Sequence, residues 1–159
     1  MDKSLLAGAS LAVLITSGTL ALAEMRDKEF VGKAIETNLA EIALGKLSLE
    51  KSKDSKVRSY GEKMIKEHGT ANKEAAALAK KLKVTLPTKP SPKDEQTYEE
   101  LAGLMGAEFD EKFAAVMVAG HEQAIAMFKD QAAGKDNTAK FAKKMLPHLE
   151  EHLKLAKSL

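Results

Sequence analysis

The sequence lacks cysteine and tryptophan, and it is poor in aromatic residues. The chain has 159 residues, no Cys, no Trp and 4% aromatic residues. Without Cys there is no disulfide, no thiolate metal site and no cysteine nucleophile. Much of the 44% hydrophobic share is Ala and Leu, which favour helices, whereas sheets draw on β-branched and aromatic residues. The composition therefore predicts one all-α domain.

The chain also lacks a dominant sign of charge. Lys and Arg total 25 and Asp and Glu total 23, a net charge of +2. Because a dedicated duplex-binding protein usually carries a strongly basic face, we expect no nucleic-acid partner. The sequence has no Gly-rich phosphate loop and no convincing nucleophile–base motif. These observations favour a non-catalytic protein.

Residues 1–23 have the features of an export signal. Lys3 is followed by an uncharged stretch, Ser4–Ala23, which ends in Ala21-Leu22-Ala23. A short charged start, an apolar segment and an Ala-x-Ala site are typical of a cleaved signal peptide. The alternative is a retained membrane anchor, since the apolar stretch approaches spanning length. We predict cleavage after Ala23 and an exported domain, residues 24–159, in the periplasm or associated with the cell envelope.

The rest of the chain is patterned as four long helices and one short helix. Asp54 and Asp136 precede two of the long segments, and their side chains can cap the orphan N–H groups of a helix start. Pro147 lies inside the last helix and predicts a kink. The predicted segments are Phe30–Lys53, Lys56–Lys83, a short helix over Lys93–Met105, Ala107–Ala133, and a last helix from the Asp136-Asn137 cap to about Lys157.

The connection between the second and third long helices indicates the topology. A helix of about 27 residues is about 40 Å long. The proline-containing stretch and short helix after Lys83 are long enough to cover that distance. Two antiparallel hairpins joined by one long crossover are a known bundle plan, the ferritin-like one. The sequence therefore predicts a ferritin-like four-helix bundle with its crossover between long helices 2 and 3.

The candidate functional residues lie at one level of this bundle. Antiparallel packing of equal helices brings their midpoints together, and each predicted midpoint carries a His or Glu. Imidazole and carboxylate ligands together suit Zn, Fe, Cu or Ni. The candidate metal ligands are Glu41, His68, His121 and His152, with Glu122 and His148 as alternates or supporting residues.

Several of these segments resemble a known family. They are Phe30-Val31, Leu39–Leu47, Met64–His68, Gly120-His121-Glu122 and the stretch from Leu146-Pro147 through His152-Leu153. They are similar to a family of exported bacterial proteins, a domain of unknown function in the ferritin-like superfamily whose members are often labelled outer-membrane or periplasmic. The family motif matches at Glu41, His68, His121 and His152, whereas His148 is peculiar to this sequence. The resemblance implies a ferritin-like bundle and export, and it implies no established activity.

The sequence departs from the di-iron members of that superfamily. A di-iron site takes a Glu from each of two helices and a Glu-x-x-His motif from each of the other two. The residues three positions before the four histidines are Ile65, Val118, Met145 and Leu149. None is Glu, so we expect neither a ferroxidase nor an oxygen-activating enzyme.

Two plainer interpretations stay open beside metal binding. Glu41 could pair with His68 in a structural polar cluster that only fixes the bundle register. Alternatively, the protein could be a metal-free envelope module that contacts an anionic surface through a Lys-rich stretch. That stretch carries Lys80, Lys81, Lys83, Lys89 and Lys93 and no acidic residue. The metal-binding interpretation corresponds to a metal-handling or envelope-stress role.

Overall fold

The structure, a computed structural model, describes residues 12–159, with side chains from residue 19 onward. This part of the chain folds into four long helices and one short helix and contains no strand. The helices are α1 (Ala12–Lys51), α2 (Ser55–Leu82), α3 (Pro92–Ala102), α4 (Gly106–Ala132) and α5 (Asn137–Ala156). The predicted all-α fold is confirmed, and the bounds of α2 to α5 lie close to those predicted.

Aspartate caps fix where α2 and α5 begin. The side chain of Asp54 accepts hydrogen bonds from the backbone N–H groups of Lys56 and Val57 at 2.7 and 3.2 Å. The side chain of Asp136 accepts one from Ala139 N at 2.8 Å. Both predicted caps are confirmed. The last helix, α5, continues through Pro147, and the kink expected there stays a prediction.

The helices pair as two hairpins. α1 packs mainly on α2, and α4 packs mainly on α5. Contacts of α1 with α4 and of α2 with α5 join the two pairs into a bundle. The crossover from α2 to α4 contains α3, which lies against α1 and α4. This is the predicted arrangement, with the long connection between the second and third long helices.

α1 begins earlier than the sequence analysis predicted. We expected a helix from Phe30, whereas α1 runs from Ala12 and passes through Ala23 without a break. The cause is that Ala- and Leu-rich sequence continues a helix unless a proline or a competing cap stops it. Leu20, Leu22 and Met25 are exposed, and the buried core starts at Phe30. Residues 1–11 of the predicted signal peptide lie outside the described part.

No helix within residues 12–159 combines the length and apolar character needed to cross a bilayer.

The apolar core is divided into two clusters. One includes Phe30, Val31, Phe128 and Phe141, and the other includes Leu47, Met64, Phe113 and Met117. Between them the buried residues are polar: Asn38, Glu41, His68, His121 and His152. A polar layer thus crosses the bundle between two conventional hydrophobic cores.

Close contact between α1 and α2 depends on two glycines. A Cβ built on Gly61 would lie 2.8 Å from the carbonyl oxygen of Gly45 and would collide with Ser48 Oγ. A Cβ on Gly45 would in turn lie 2.8 Å from Gly61 O. Gly69, the other glycine within α2, has no such contact. Among the described residues, a Cβ on Gly69 meets nothing within 4 Å, so only Gly61 has this role.

Gly61→Ala is expected to destabilise the protein, and Gly69→Ala serves as the matched control. The added methyl at position 61 meets a backbone carbonyl that cannot rotate away, and overpacking of this kind costs about 1–3 kcal/mol. The methyl at position 69 has space, so the better helix propensity of Ala should stabilise by about 0.5–1 kcal/mol. Urea unfolding of both variants measures this difference. Equal stability of the two variants would refute the close-contact role of Gly61.

Candidate metal centre

Three histidines from three helices meet in the polar layer. His68 comes from α2, His121 from α4 and His152 from α5. Their exposed fractions are 3%, 1% and 2%. One ring nitrogen from each lies within 4.8 Å of the corresponding nitrogens of the other two. The convergence expected from the helix midpoints is therefore present for these three side chains.

Each imidazole donates a hydrogen bond through one of its two ring nitrogens. His68 Nδ1 donates to Asn38 Oδ1 at 2.9 Å, and His121 Nδ1 donates to the backbone carbonyl of Met117 at 2.9 Å. His152 Nε2 donates to the carboxylate of Glu67 at 2.8 Å. Carbonyl and carboxylate oxygens only accept hydrogen bonds, so each of these nitrogens carries the ring proton.

The opposite nitrogen of every ring is then a lone-pair acceptor. His68 Nε2, His121 Nε2 and His152 Nδ1 are buried, and they have no hydrogen-bond partner in the described part of the chain. The nitrogens bound to a single Zn²⁺ lie about 3.3–3.6 Å apart, given Zn–N distances of about 2.0–2.1 Å. Ligand nitrogens within 4.8 Å of one another need to close by at most about 1.2–1.5 Å to share an ion.

Burial keeps all three rings neutral. Loss of hydration lowers the pKa of His68 well below its usual value and lowers that of His121 to about 4. The pKa of His152 is also lowered by burial, although the hydrogen bond with Glu67 opposes the shift. A neutral imidazole is the form that binds a metal ion. The three histidines therefore present metal-ready nitrogens at neutral pH without first losing a proton.

Glu67 is the acceptor that orders His152. Its Oε2 accepts from His152 Nε2, and its Oε1 receives Lys63 Nζ at 2.8 Å. Partial burial raises the pKa of Glu67, but the hydrogen bonds from Lys63 and His152 outweigh it and lower the pKa below its usual value. A carboxylate behind a ligating histidine fixes the tautomer and increases the basicity of the metal-facing nitrogen.

Glu41 lies beside the histidines, on the anchored side of His121. Its Oε1 is 3.9 Å from His121 Nδ1, the nitrogen that bonds to Met117. Burial, with a smaller contribution from the charge of Asp94, raises the pKa of Glu41 to about 8. One hypothesis from the sequence paired Glu41 with His68, but no hydrogen bond joins these two side chains. Asn38 takes that place.

The two alternate residues lie outside this group. Glu122 follows His121 in α4, about 100° further around the helix. It is 53% exposed and pairs with Lys157 at 2.8 Å. The His148 side chain is 55% exposed, with its Nδ1 3.7 Å from Glu67 Oε2. Glu122 is thus a surface residue, and His148 is a neighbour of the carboxylate that holds His152.

The sequence did not lead us to the residues that accept hydrogen bonds from the three histidines. Asn38 lies one turn before Glu41 on α1 and is buried, and the signal that the sequence offered was an amide side chain one helical turn from a candidate ligand. Glu67 directly precedes His68, but its partner is on α5, and nothing in the local sequence indicated that pairing. The third acceptor is a backbone carbonyl, which every residue possesses.

The lysines proposed for an anionic surface are all exposed. Three lie at the end of α2 and just after it, and Lys89 forms an ion pair with Glu95 at 3.3 Å.

The fold and this polar centre describe a helical-bundle domain that matches a known family. A sequence model of DUF4142, a domain of unknown function, matches residues 15–159. The match spans nearly the whole chain, so the chain belongs to the DUF4142 family, and the resemblance to a family of unknown function is confirmed. No curated protein matches the chain.

Two solved structures share the fold. A DUF305 fragment from Deinococcus radiodurans superposes with a TM-score of 0.75 at 16% identity, covering 84% of this chain and 93% of that one. A "putative secreted protein DUF305" from Streptomyces coelicolor gives 0.71 at 12% identity, covering 82% and 88%. At such identities the likeness establishes the fold alone.

The variant Glu41→Gln tests whether burial raises the pKa of the Glu41 carboxyl. Between pH 4.5 and about 8 the folded state keeps a proton on Glu41 that the unfolded state has lost. This group therefore makes wild-type stability fall as pH rises through that window. In metal-free protein, the free energy of unfolding of the variant relative to wild type should increase by about 2–4 kcal/mol between pH 5 and pH 8.

Urea unfolding at both pH values measures the effect, and Glu122→Gln is the matched control. The same chemical change on an exposed carboxylate should give the same difference from wild type at pH 5 and pH 8. A pH-independent offset for Glu41→Gln would contradict the raised pKa.

Proposed function

We propose that this protein is an exported, non-catalytic metal-binding protein that holds one transition-metal ion on His68, His121 and His152. The role that follows is metal handling or protection of the envelope from metal stress. One observation carries the proposal: three buried, neutral histidines each bring a ring nitrogen within 4.8 Å of the other two, and each ring keeps one nitrogen without a partner in the described part of the chain while the other is fixed by a hydrogen bond.

The energetics favour a ligand over a purely structural polar layer. A buried polar atom without a partner costs about 1–3 kcal/mol. A cluster that only fixed the register would be more stable if the rings bonded to one another or to Glu41. Instead, one buried nitrogen of each ring has no partner in the described part of the chain, although the three rings lie within ligand distance of one another. Histidines that bind metals show this arrangement, with an acceptor on the far nitrogen.

The three imidazole donors favour a transition-metal ion over Mg or Ca. Imidazole nitrogens suit Zn, Cu, Fe and Ni, whereas Mg and Ca prefer oxygen ligands. Three protein ligands leave further coordination positions for water or an added ligand. Glu41 is adjacent but faces the anchored side of His121, so the proposed inner ligands are the three histidines.

Metal addition should raise the melting temperature of the protein, because a ligand that binds only the native state stabilises it. Zn²⁺, Cu²⁺, Ni²⁺ and Fe²⁺ are titrated in turn, and elemental analysis gives the stoichiometry. At a free metal concentration about 100 times the dissociation constant the gain is about 2.7 kcal/mol. His68→Ala and His121→Ala should each abolish the shift and keep the helical content. His148→Ala should retain the shift.

A protein with no bound metal and no shift with any of the four ions would refute the metal site. The three histidines would then be a structural layer, and the function would be that of a metal-free envelope module. Loss of the shift in His148→Ala together with retention in His68→Ala would place the metal elsewhere.

Export is the second part of the proposal. It is supported by the Ala-x-Ala site and by the position of the core, which among the described side chains begins at Phe30, beyond the cleavage site after Ala23. Asp27 stays in the mature chain and accepts hydrogen bonds from Gln131 at 2.7 Å and Thr138 at 2.9 Å. The Streptomyces relative in fold carries the description of a secreted protein.

N-terminal sequencing tests this processing. Protein produced from the full-length gene in a bacterial host and recovered from the periplasm should begin at Glu24. Ala23→Asp should block cleavage, because signal peptidase requires a small residue at that position, and the uncleaved chain should stay with the membrane. Recovery of full-length wild-type protein from the membrane fraction would favour the retained anchor.

A further inference from the structure

A pocket of about 350 Å³ between α2 and α5 reaches two of the three histidines. His68 and His152 form its inner wall. His148, Glu74 and Lys144 are partly exposed and form its rim. A pocket of about 420 Å³ on the opposite side, between α1, α3 and α4, is lined by Glu41 and, among the described residues, by none of the three histidines. Access to the proposed ligands is therefore through the α2–α5 side.

A line of polar atoms runs from the rim to the buried centre. His148 Nδ1 is 3.7 Å from Glu67 Oε2, and the same oxygen accepts from His152 Nε2 at 2.8 Å. Nitrogen and oxygen ligands of one ion, at about 2.0–2.2 Å each, are separated by about 3.4–3.7 Å for angles of about 110–125°. The separation of His148 and Glu67 thus matches that of two ligands of a single ion.

The surroundings of this pair allow a cation to approach. Lys144 at the rim is neutralised by Glu74, with Nζ–O distances of 2.7 and 2.8 Å. Lys63 fixes Glu67 through Oε1 and is itself shared with Glu151 at 3.0 Å. The Oε2 atom of Glu67 lies next to His148 and His152, which both line the pocket. His148 is exposed enough to meet a hydrated ion in solution.

We propose that His148 and Glu67 form an entry site that captures a divalent transition-metal ion and passes it through the α2–α5 pocket to His68, His121 and His152. This inference rests on the proposed function. Two protein ligands completed by water bind an ion weakly, whereas three desolvated imidazoles bind it more tightly. Transfer inward is therefore downhill, and the entry site affects how fast the ion arrives rather than how tightly it is finally held.

The test measures Zn²⁺ loading and release separately from affinity. Stopped-flow loading of the metal-free full chain is followed with a chromophoric zinc chelator, and release is started by excess chelator. In His148→Ala both rates should fall at least about fivefold. They must fall by the same factor, because a residue that acts only along the path leaves the dissociation constant and the saturated melting temperature unchanged.

A matched pair of blocking variants tests the route. Thr70 lines the α2–α5 pocket and Ala119 lines the pocket on the opposite side, and both are exposed helical positions. Thr70→Trp should slow loading and release, whereas Ala119→Trp should leave both rates at the wild-type value. Circular dichroism of both variants checks that the bundle is intact.

The outcomes separate this inference from the proposed function. If wild type binds one Zn²⁺ that His68→Ala loses, but His148→Ala loads and releases at wild-type rates, the entry site is refuted and the metal site stands. Slowing by Ala119→Trp instead of Thr70→Trp would also refute the route. If wild type takes up no Zn²⁺, both the entry site and the metal-binding function are refuted.

Discussion

The burial of three imidazole rings at one level of a four-helix bundle is the constraint on which the rest of the structure depends. An imidazole has two polar nitrogens, and a buried ring needs partners for both. Here the outer nitrogens are satisfied by a buried amide, a carboxylate and a helical carbonyl. The second nitrogen of each ring has no partner in the described part of the chain. This polar layer also explains why the core is two apolar clusters rather than one.

Bringing these rings together requires accurate helix register, and the means of achieving it lie far from the histidines. Asp54 and Asp136 fix the first turns of α2 and α5. The contact of Gly61 with Gly45 sets how closely α2 approaches α1. Since each residue along a helix rises about 1.5 Å and turns about 100°, a shift of one residue would turn a histidine away from the centre. Small residues and caps thus determine the geometry of the site.

Much of the fold, but less of the site, could be predicted from the sequence. Helix periodicity, caps and prolines are local signals, so α2 to α5 and the crossover were predictable. The convergence of His68, His121 and His152 followed from helix midpoints alone. The hydrogen-bond partners of these histidines did not follow from the helix midpoints, because the pairing of Glu67 with His152 depends on which rotamers meet between α2 and α5. A position at the helix midpoint also could not show that His121 is buried whereas its neighbour Glu122 is exposed. The early start of α1 was missed because an export signal and a helix are built from the same residues.

The two sides of the polar layer differ in a way that bears on function. On the α1–α4 side the layer ends in Glu41, a carboxyl whose burial raises its pKa to about 8 and keeps it largely neutral at pH 7. On the α2–α5 side it ends in Glu67, a carboxylate kept charged by Lys63 and His152. A cation gains less electrostatic stabilisation from a neutral carboxyl than from a charged carboxylate. The same Oε2 atom of Glu67 orients His152 and lies next to His148. One carboxylate therefore links the order of the buried nitrogens to the surface from which a metal ion can reach them.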